Sequence, residues 1–389
     1  MNKFDQKVDR RHTASVKWDG QKALFGYDDL LPMWVADMDF KPPEEVLHAM
    51  ERRLEHGIFG YTMTGESTAS AIMEWLHSRH CWDIKPEWLL YHHGVVPSIG
   101  AAIQAFTDPG DKVLLQTPVY TPFFQMIEKN SRTVIHTRLL LENGRYSIDF
   151  QDFEEKLKDG AKLFLLCNPH NPGGRVWTKD ELMKMAELCK KYGVLIVSDE
   201  IHADLVLKPN RHIPLAALDS SYAGMTLTFM APSKTFNLAG LQASYMIIPN
   251  AELRNRMAEV QQKDGFITLN TFGIVAMEAA YRHGSKWLEE LLDYIQGNIK
   301  LVKEEIETSL PMLRVMDPEG TYLVWIDCRN TGLTDNEIRQ RLLTKGKLAL
   351  NDGEPYGPGG EGFVRMNVAC PREMVAEGIK RLKAAFLDA

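Results

Sequence analysis

An amide, a carboxylate closing an apolar run and a lysine in a Ser- and Gly-bearing turn follow one another along this chain. They are Asn171 in NPHNPGG (168–174), Asp199 in VLIVSDE (194–200) and Lys234 in APSKTFNLAG (231–240). Together they suit an aldehyde cofactor built on a basic aromatic ring. The lysine amine condenses with the aldehyde, and the acid keeps the ring nitrogen protonated so that the ring draws electrons. The amide donates to the ring's phenolic oxygen and holds ring and imine in one plane. Pyridoxal phosphate is that cofactor, and the pattern predicts an enzyme. Asn171 and Asp199 lie 28 residues apart, Asp199 and Lys234 35 apart. Each interval leaves room for one helix-containing connection, so the three can converge along one sheet edge.

Each residue also has a plainer reading. A Ser-Lys at a strand end followed by Gly is common, so Lys234 alone could be a surface lysine; its place after Asn171 and Asp199 argues for chemistry. Asp199 could cap the next helix or hold magnesium, but the nucleotide version of that role needs a Gly-x-x-x-x-Gly-Lys-Ser/Thr segment, absent from this sequence. Burying a carboxylate at the end of VLIVSD is costly unless it is paired, and a protonated pyridine nitrogen would pair it. Asn171 sits among turn formers and can shape the turn while touching a ring.

These groups need elements to carry them. The strand candidates KVLLQTP, KLFLLCNP, VLIVSDE, TLTFMAP and ASYMIIP alternate with amphipathic helices, the pattern of a mostly parallel sheet covered on both faces. Between the second and third, Thr178 and Glu181 form a T-x-x-E capping box, Met185, Leu188 and Cys189 continue an apolar face, and Gly193 can end the helix. Upstream, LPMWVADMDF is expected to pack near the site, with Pro42 and Pro43 opening a helix. Helical periodicity from about Thr271 to Ser309, interrupted near Gly284, would lead from a large domain into a small one. The last hundred or so residues read as α+β, with strands TYLVWIDC and GFVRMNVA, helices near 335–345 and 372–387, and the loop NDGEPYGPGGEG between them. The expected division is an N-terminal arm with part of the small domain at 1–47, a large cofactor domain at 48–290 and a C-terminal small domain at 291–389.

Composition bounds the partners. At 389 residues and 44% hydrophobic, the chain exceeds what one core usually supports. A net charge of -7 argues against a nucleic-acid surface. The five cysteines (Cys81, Cys167, Cys189, Cys328, Cys370) are scattered without a CxxC pair, which fits reduced thiols. The start, MNKFDQKVDRRH, has no signal-type apolar core, and no run approaches the about 18 residues of a membrane span. A cytoplasmic enzyme acting on small molecules is expected. No metal is assigned, since His92 and His93 lack ligand spacing.

The segments PMWVADMDF, FGYT, SDEIHADL, SKTFNLAG and VRMNVACPR stand in the order known from one family. Over essentially its whole length the chain resembles the fold type I, aspartate-aminotransferase-type pyridoxal phosphate enzymes, and within them the cystathionine β-lyase and C–S lyase branch. The resemblance implies an α/β fold, with a mostly parallel seven-stranded sheet in the large domain and a smaller α+β domain. It makes Lys234 the cofactor-linked lysine and the acid–base at the substrate's Cα, and Asp199 the partner of the ring nitrogen. Tyr120, in TPVYTPFF, resembles the aromatic stacked on the ring, its alternative being packing in a Pro-bounded loop.

Gly94, Val95 and Val96 resemble the helix-start turn whose N–H groups meet the phosphate, with Ser233 adding a hydroxyl. Many relatives carry a further Ser three residues before the lysine and an Arg eight after it. Ala231 and Gln242 stand there instead, so the usual phosphate-binding cation is missing. Tyr61, in FGYT, is similar to the tyrosine that reaches the phosphate and substrate from a neighbouring subunit, implying a homodimer with shared sites; the alternative is a tyrosine packed in a Gly-rich turn. Arg365 resembles the arginine that grips the substrate's α-carboxylate with two parallel bonds, against a structural salt bridge. His202 stands where many aminotransferases place a tyrosine at the ring's phenolic oxygen, and is expected at the cofactor or orienting Asp199.

The implied reaction is β-elimination from an amino-acid thioether; from cystathionine it gives homocysteine, pyruvate and ammonia. Residue chemistry alone does not separate this from transamination, because both pass through one carbanion. An aminotransferase of aromatic or neutral amino acids is the second reading, and a regulatory, protein-binding family member the third.

Overall fold

The computed structural model describes residues 2–387. Its main sheet has seven strands: β1 Leu89–His92, β2 Lys112–Thr117, β3 Thr133–Arg138, β4 Ala161–Cys167, β5 Leu195–Asp199, β6 Thr226–Met230 and β7 Ser244–Ile247. They lie in the order β1-β7-β6-β5-β4-β2-β3, all in one direction except β7, which is antiparallel to both neighbours. Strands β4, β5 and β6 are buried almost throughout, as near-continuous apolar runs covered on both faces should be. All five strand candidates are strands. The two not anticipated, β1 (LLYH) and β3 (TVIHTR), are the edges, where polar residues interrupt the apolar pattern.

The connections show why the spacing works. Between β4 and β5 the helix Lys179–Tyr192 starts at the expected capping box: Glu181 N–H donates to Thr178 Oγ1 at 3.3 Å, and Thr178 N–H to the Glu181 carboxylate at 2.8 Å. Gly193 ends it at φ 67°. The passage from β5 to β6 differs from expectation, with only a 3-10 turn at Leu215–Ala217 and a four-residue helix at Ser220–Ala223. Buried polar bonds hold this loop instead: the Glu200 carboxylate binds His212 Nε2 at 2.7 Å, Ser198 Oγ at 2.8 Å and Leu215 N–H at 3.2 Å.

A second, antiparallel sheet contains β8 Arg314–Val315, β9 Leu323–Asp327, β10 Asn351–Asp352 and β11 Phe363–Asn367, in the order β8-β9-β11-β10. Helix Thr271–His283 leads towards it and breaks at Gly284, where a Cβ would clash with the Phe236 ring. Helix Ser285–Ser309 then runs through position 290 without interruption, burying Trp287, Leu291, Ile295, Val302 and Ile306. We propose the division at 1–47, 48–290 and 291–389 with this helix as the connector; residues 1, 388 and 389 lie outside the described residues. The arm joins the second unit through parallel pairing of Leu31–Pro32 with Leu348–Ala349. Phe4 anchors its beginning, with ring centroids 5.0 Å from Phe40 and 5.6 Å from Trp287; burying such a ring contributes about 2 kcal/mol. Among the described residues no helix is long and apolar enough to cross a membrane.

Candidate active site

The C-terminal ends of β2, β4, β5 and β6 open onto one cavity of about 190 Å³, where parallel sheets characteristically take ligands. Asp199 is the last residue of β5, Asn171 lies in the turn after β4, Tyr120 follows β2, and Lys234 sits on the one-turn helix Pro232–Thr235 after β6. Val95, Val96, Tyr120, Asn171, Asp199, His202, Ser233 and Lys234, all expected here, line it together with Gly94, Gln242 and Ala36. Four larger surface clefts, of about 680, 870, 420 and 530 Å³, gather none of these groups.

Asp199 is buried, and burial pushes its carboxyl up to about 7. Its Oδ1 accepts the Ile201 N–H at 3.1 Å, and no side-chain donor reaches it among the described residues. Lys234 faces the cavity and donates from Nζ to the Ala36 carbonyl at 2.7 Å. Burial of its amine, helped by the Arg365 charge, brings it down to about 8. An acid and an amine poised near neutrality in one cleft form a proton-handling pair. His202 makes no hydrogen bond to Asp199, so the orienting role considered for it passes to Ile201 N–H. Burial holds its pKa down to about 3, so the ring is neutral, and its Nδ1 has no partner among the described residues.

Arg365 is buried on β11. Its Nη1 donates to Asn171 Oδ1 at 2.9 Å, and its Nη2 to Trp34 O at 3.0 Å and Asn351 Oδ1 at 2.6 Å, while Nε has no partner among the described residues. No carboxylate neutralises it among the described residues, which removes the structural salt-bridge alternative. A buried guanidinium without an acid is costly, and an incoming carboxylate would relieve it.

At the other end of the cavity, helix Val95–Phe106 starts after Gly94. The N–H groups of Val95 and Val96 precede the first intrahelical bond, and Ser98 N–H is already used on Gly94 O at 3.1 Å. Lys234 is the one Lys or Arg in the lining, so an anion there meets helix-start N–H groups, the helix dipole, a hydroxyl and an amide. Unpaired N–H groups at one end, a carboxyl that needs a cation at the other and an amine between them fit an aromatic aldehyde carrying a phosphate and a basic ring nitrogen.

Tyr61 stands apart. It is fully exposed and outside the cavity, in a stretch where Ile58, Phe59 and Met63 are exposed as well. Other residues at the site were not anticipated. Asn367 Nδ2 donates to Val35 O and Asp37 O at 2.5 and 2.6 Å, and Asn237 binds Met38 N–H, Met38 O and Phe40 O at 2.9 Å each, fixing the loop that carries Ala36. The loop is also tied to the arm. The Asp39 carboxylate takes Lys17 Nζ at 2.6 Å, Arg10 Nη1 at 2.8 Å and Trp18 Nε1 at 2.9 Å. Burial opposes that charge, but Lys17, Trp18 and Arg10 overcome it and hold Asp39 below the usual carboxylate range. Asn237 and Asn367 lie inside the motifs SKTFNLAG and VRMNVACPR, which offered a signal; Tyr322, whose hydroxyl bonds Ala36 O at 2.9 Å, looks like an ordinary strand residue.

With this geometry in place, the comparisons with known proteins agree. Residues 28–382 match the family model for aminotransferase class I and II. The chain is 49% identical over 384 residues to cystathionine beta-lyase PatB of Bacillus subtilis (strain 168), covering 98% of this chain and 99% of that protein. A PLP-bound crystal structure from Clostridium difficile 630 superposes at a TM-score of 0.98 with 45% identity, covering 100% of both chains. Cystalysin from Treponema denticola, which contains a pyridoxal 5'-phosphate cofactor, superposes at 0.96 with 36% identity, over 99% of this chain and 98% of that one. The match spans both sheets and every cavity-lining residue named above, and the chain belongs to the class I and II aminotransferase family.

Proposed function

We propose that this protein is a pyridoxal-phosphate-dependent C–S lyase that cleaves cystathionine or a related cysteine S-conjugate by β-elimination, releasing a thiol, pyruvate and ammonia. The reading is carried by Lys234 and Asp199 meeting in one cavity, in a chain 49% identical to a cystathionine beta-lyase. When bound, pyridoxal phosphate supplies an aldehyde for the substrate's amine and a cationic ring that accepts the negative charge left at Cα.

The chain's own residues do the rest. Asp199 would hold a proton at the ring nitrogen, and that ion pair would relieve the burial of its carboxylate. Asn171 has its oxygen occupied by Arg365, which leaves its nitrogen to donate to the phenolic oxygen. Tyr120 would cover the ring and His202 border it, and Val95, Val96, Ser233 and Gln242, which line the same cavity, would hold the phosphate. Arg365 grips the substrate's α-carboxylate through its fork. Lys234, with its pKa near neutrality, takes the proton from Cα and returns a proton as the thiol departs.

The same reading makes the protein a homodimer. Exposed Ile58, Phe59, Tyr61 and Met63 form an apolar stretch of the kind that marks an interface, from which Tyr61 would reach the partner's phosphate. A cytoplasmic location suits the five unpaired cysteines. To test the activity, purified protein is mixed with cystathionine and separately with cysteine while visible absorbance and pyruvate are followed together with the expelled sulfur, a new thiol from cystathionine and sulfide from cysteine. Thiol and pyruvate rising in step support the lyase; amino-group exchange with a 2-oxo acid and no thiol would replace it by an aminotransferase.

A further inference from the structure

We propose that Tyr322 is a positioning residue for Lys234, acting through the backbone carbonyl of Ala36 that both side chains bond. The proposal rests on the reading of Lys234 as the proton carrier. Lys234 Nζ donates to Ala36 O at 2.7 Å, and Tyr322 Oη donates to the same oxygen at 2.9 Å. Tyr322 is fully buried just before β9, its ring edge-on to His202 at a centroid distance of 6.1 Å. The carbonyl itself cannot swing away. Arg365 holds Trp34 O on one side of it, and Asn367 holds Val35 O and Asp37 O around it.

Two effects follow from sharing one acceptor. The hydroxyl occupies one lone pair of Ala36 O and draws density from the oxygen, so an ammonium on the other lone pair gains less. This favours the neutral amine, the form able to take a proton. A neutral amine also has two N–H bonds and one lone pair, and fixing one N–H on Ala36 O restricts where that lone pair can point. The other groups around Lys234 are accounted for. Asp199 on β5 and Asp37 on the arm favour the ammonium, Arg365 on β11 disfavours it, and burial is the largest influence. Of the remaining titratable residues lining the cavity, His202, Tyr120 and the Cys167 thiol, which burial pushes up, are neutral, and the fourth is His93. Tyr322 acts in the same direction as burial.

Tyr322→Phe removes the hydroxyl and keeps the ring. In full-length protein stripped of cofactor, the pH dependence of Lys234 acetylation by acetic anhydride, read by peptide mass spectrometry, gives the amine's midpoint. That midpoint is expected to rise by roughly half a unit, the scale of one modest hydrogen bond. In the holoenzyme, the acid limb of kcat should move the same way, with kcat several-fold lower and KM nearly unchanged. An unmoved midpoint overturns the proposal, and because looser packing would hydrate the amine and raise its midpoint too, the rise supports the proposal only in a variant that melts like the parent. Should the variant melt well below the parent, 3-fluorotyrosine at position 322, a stronger donor, must lower the midpoint, and failure to do so overturns the proposal equally. Loss of the underlying reading would be seen separately, as borohydride reduction with pyridoxal phosphate that leaves Lys234 of the parent unlabelled.

Discussion

Arg365 Nη1 donates to the side-chain oxygen of Asn171 across 2.9 Å, tying β11 to the turn after β4. The residue proposed to grip the substrate thereby sets which face of the Asn171 amide meets the cofactor. Arg365→Lys keeps the charge and loses the fork. With about 1.5 to 3 kcal/mol for hydrogen bonds to a charged group, KM should rise roughly 10- to 100-fold. The dissociation constant for pyridoxal phosphate should rise as well, because the amide loses its anchor. Steady-state kinetics and a cofactor titration together check this; a KM effect with untouched cofactor affinity would separate the two residues.

Lys234→Ala should still bind pyridoxal phosphate through the remaining contacts but lose its covalent hold. Borohydride should leave no label on the peptide spanning position 234. Turnover should fall by at least the roughly 10²- to 10⁴-fold that a positioned acid–base supplies. Exogenous primary amines would restore part of it if the lysine acts as a proton carrier.

Burial raises Asp199 from 3.8 to about 7. A group that binds its proton more tightly when folded contributes stability below its unfolded pKa, and that contribution is lost as pH rises through the folded value. Cofactor-stripped protein should therefore lose stability between about pH 4 and pH 7, by on the order of 4 kcal/mol for this group. Asp199→Asn should flatten that part of the profile. Saturating pyridoxal phosphate, whose ring nitrogen pairs the charge, should flatten it in the parent too. Urea melts across the window, with and without cofactor, decide the matter.

Tyr61 is fully exposed, and a tyrosine acting across an interface predicts complementation. Tyr61→Ala and Lys234→Ala should each be nearly inactive as pure homodimers. Mixed and re-equilibrated, they should form hybrids in which one of the two sites has both residues intact, and activity should return. Sedimentation or light scattering must report a dimer; persistent inactivity of verified hybrids would place Tyr61 outside the site.

The most legible parts of the sequence were those governed by topology. A polar residue ending a buried strand, as Asp199 does, has one place to go in a parallel sheet, the mouth at the strand ends. Asn171 and Lys234 follow neighbouring strands and arrive at the same mouth. The capping box at Thr178 and Glu181 and the break at Gly284 were equally readable, since both rest on local chemistry. Edge strands β1 and β3 were not, because one open side admits His92, His136 and Arg138 into what would otherwise be apolar runs. The loop after Asp199 escaped as well: Glu200, His212 and Ser198 stabilise it by contacts that no periodicity reports. Ala36 could not have been found from residue types at all, since its contribution is a backbone oxygen, and Tyr322 matters only because that oxygen lies beside it.

The bonds from Arg365 to Trp34 O and from Asn367 to Val35 O span 331 and 332 positions. During synthesis the first part of the chain therefore leaves the ribosome long before the residues that hold it in place exist. The Ala36 carbonyl reaches its working position only after β11 has emerged, so the catalytic centre is assembled at the end of translation. Prematurely terminated products that lack the final strand would carry Lys234, Asp199 and Asn171 without the contacts that hold the Ala36 loop in place.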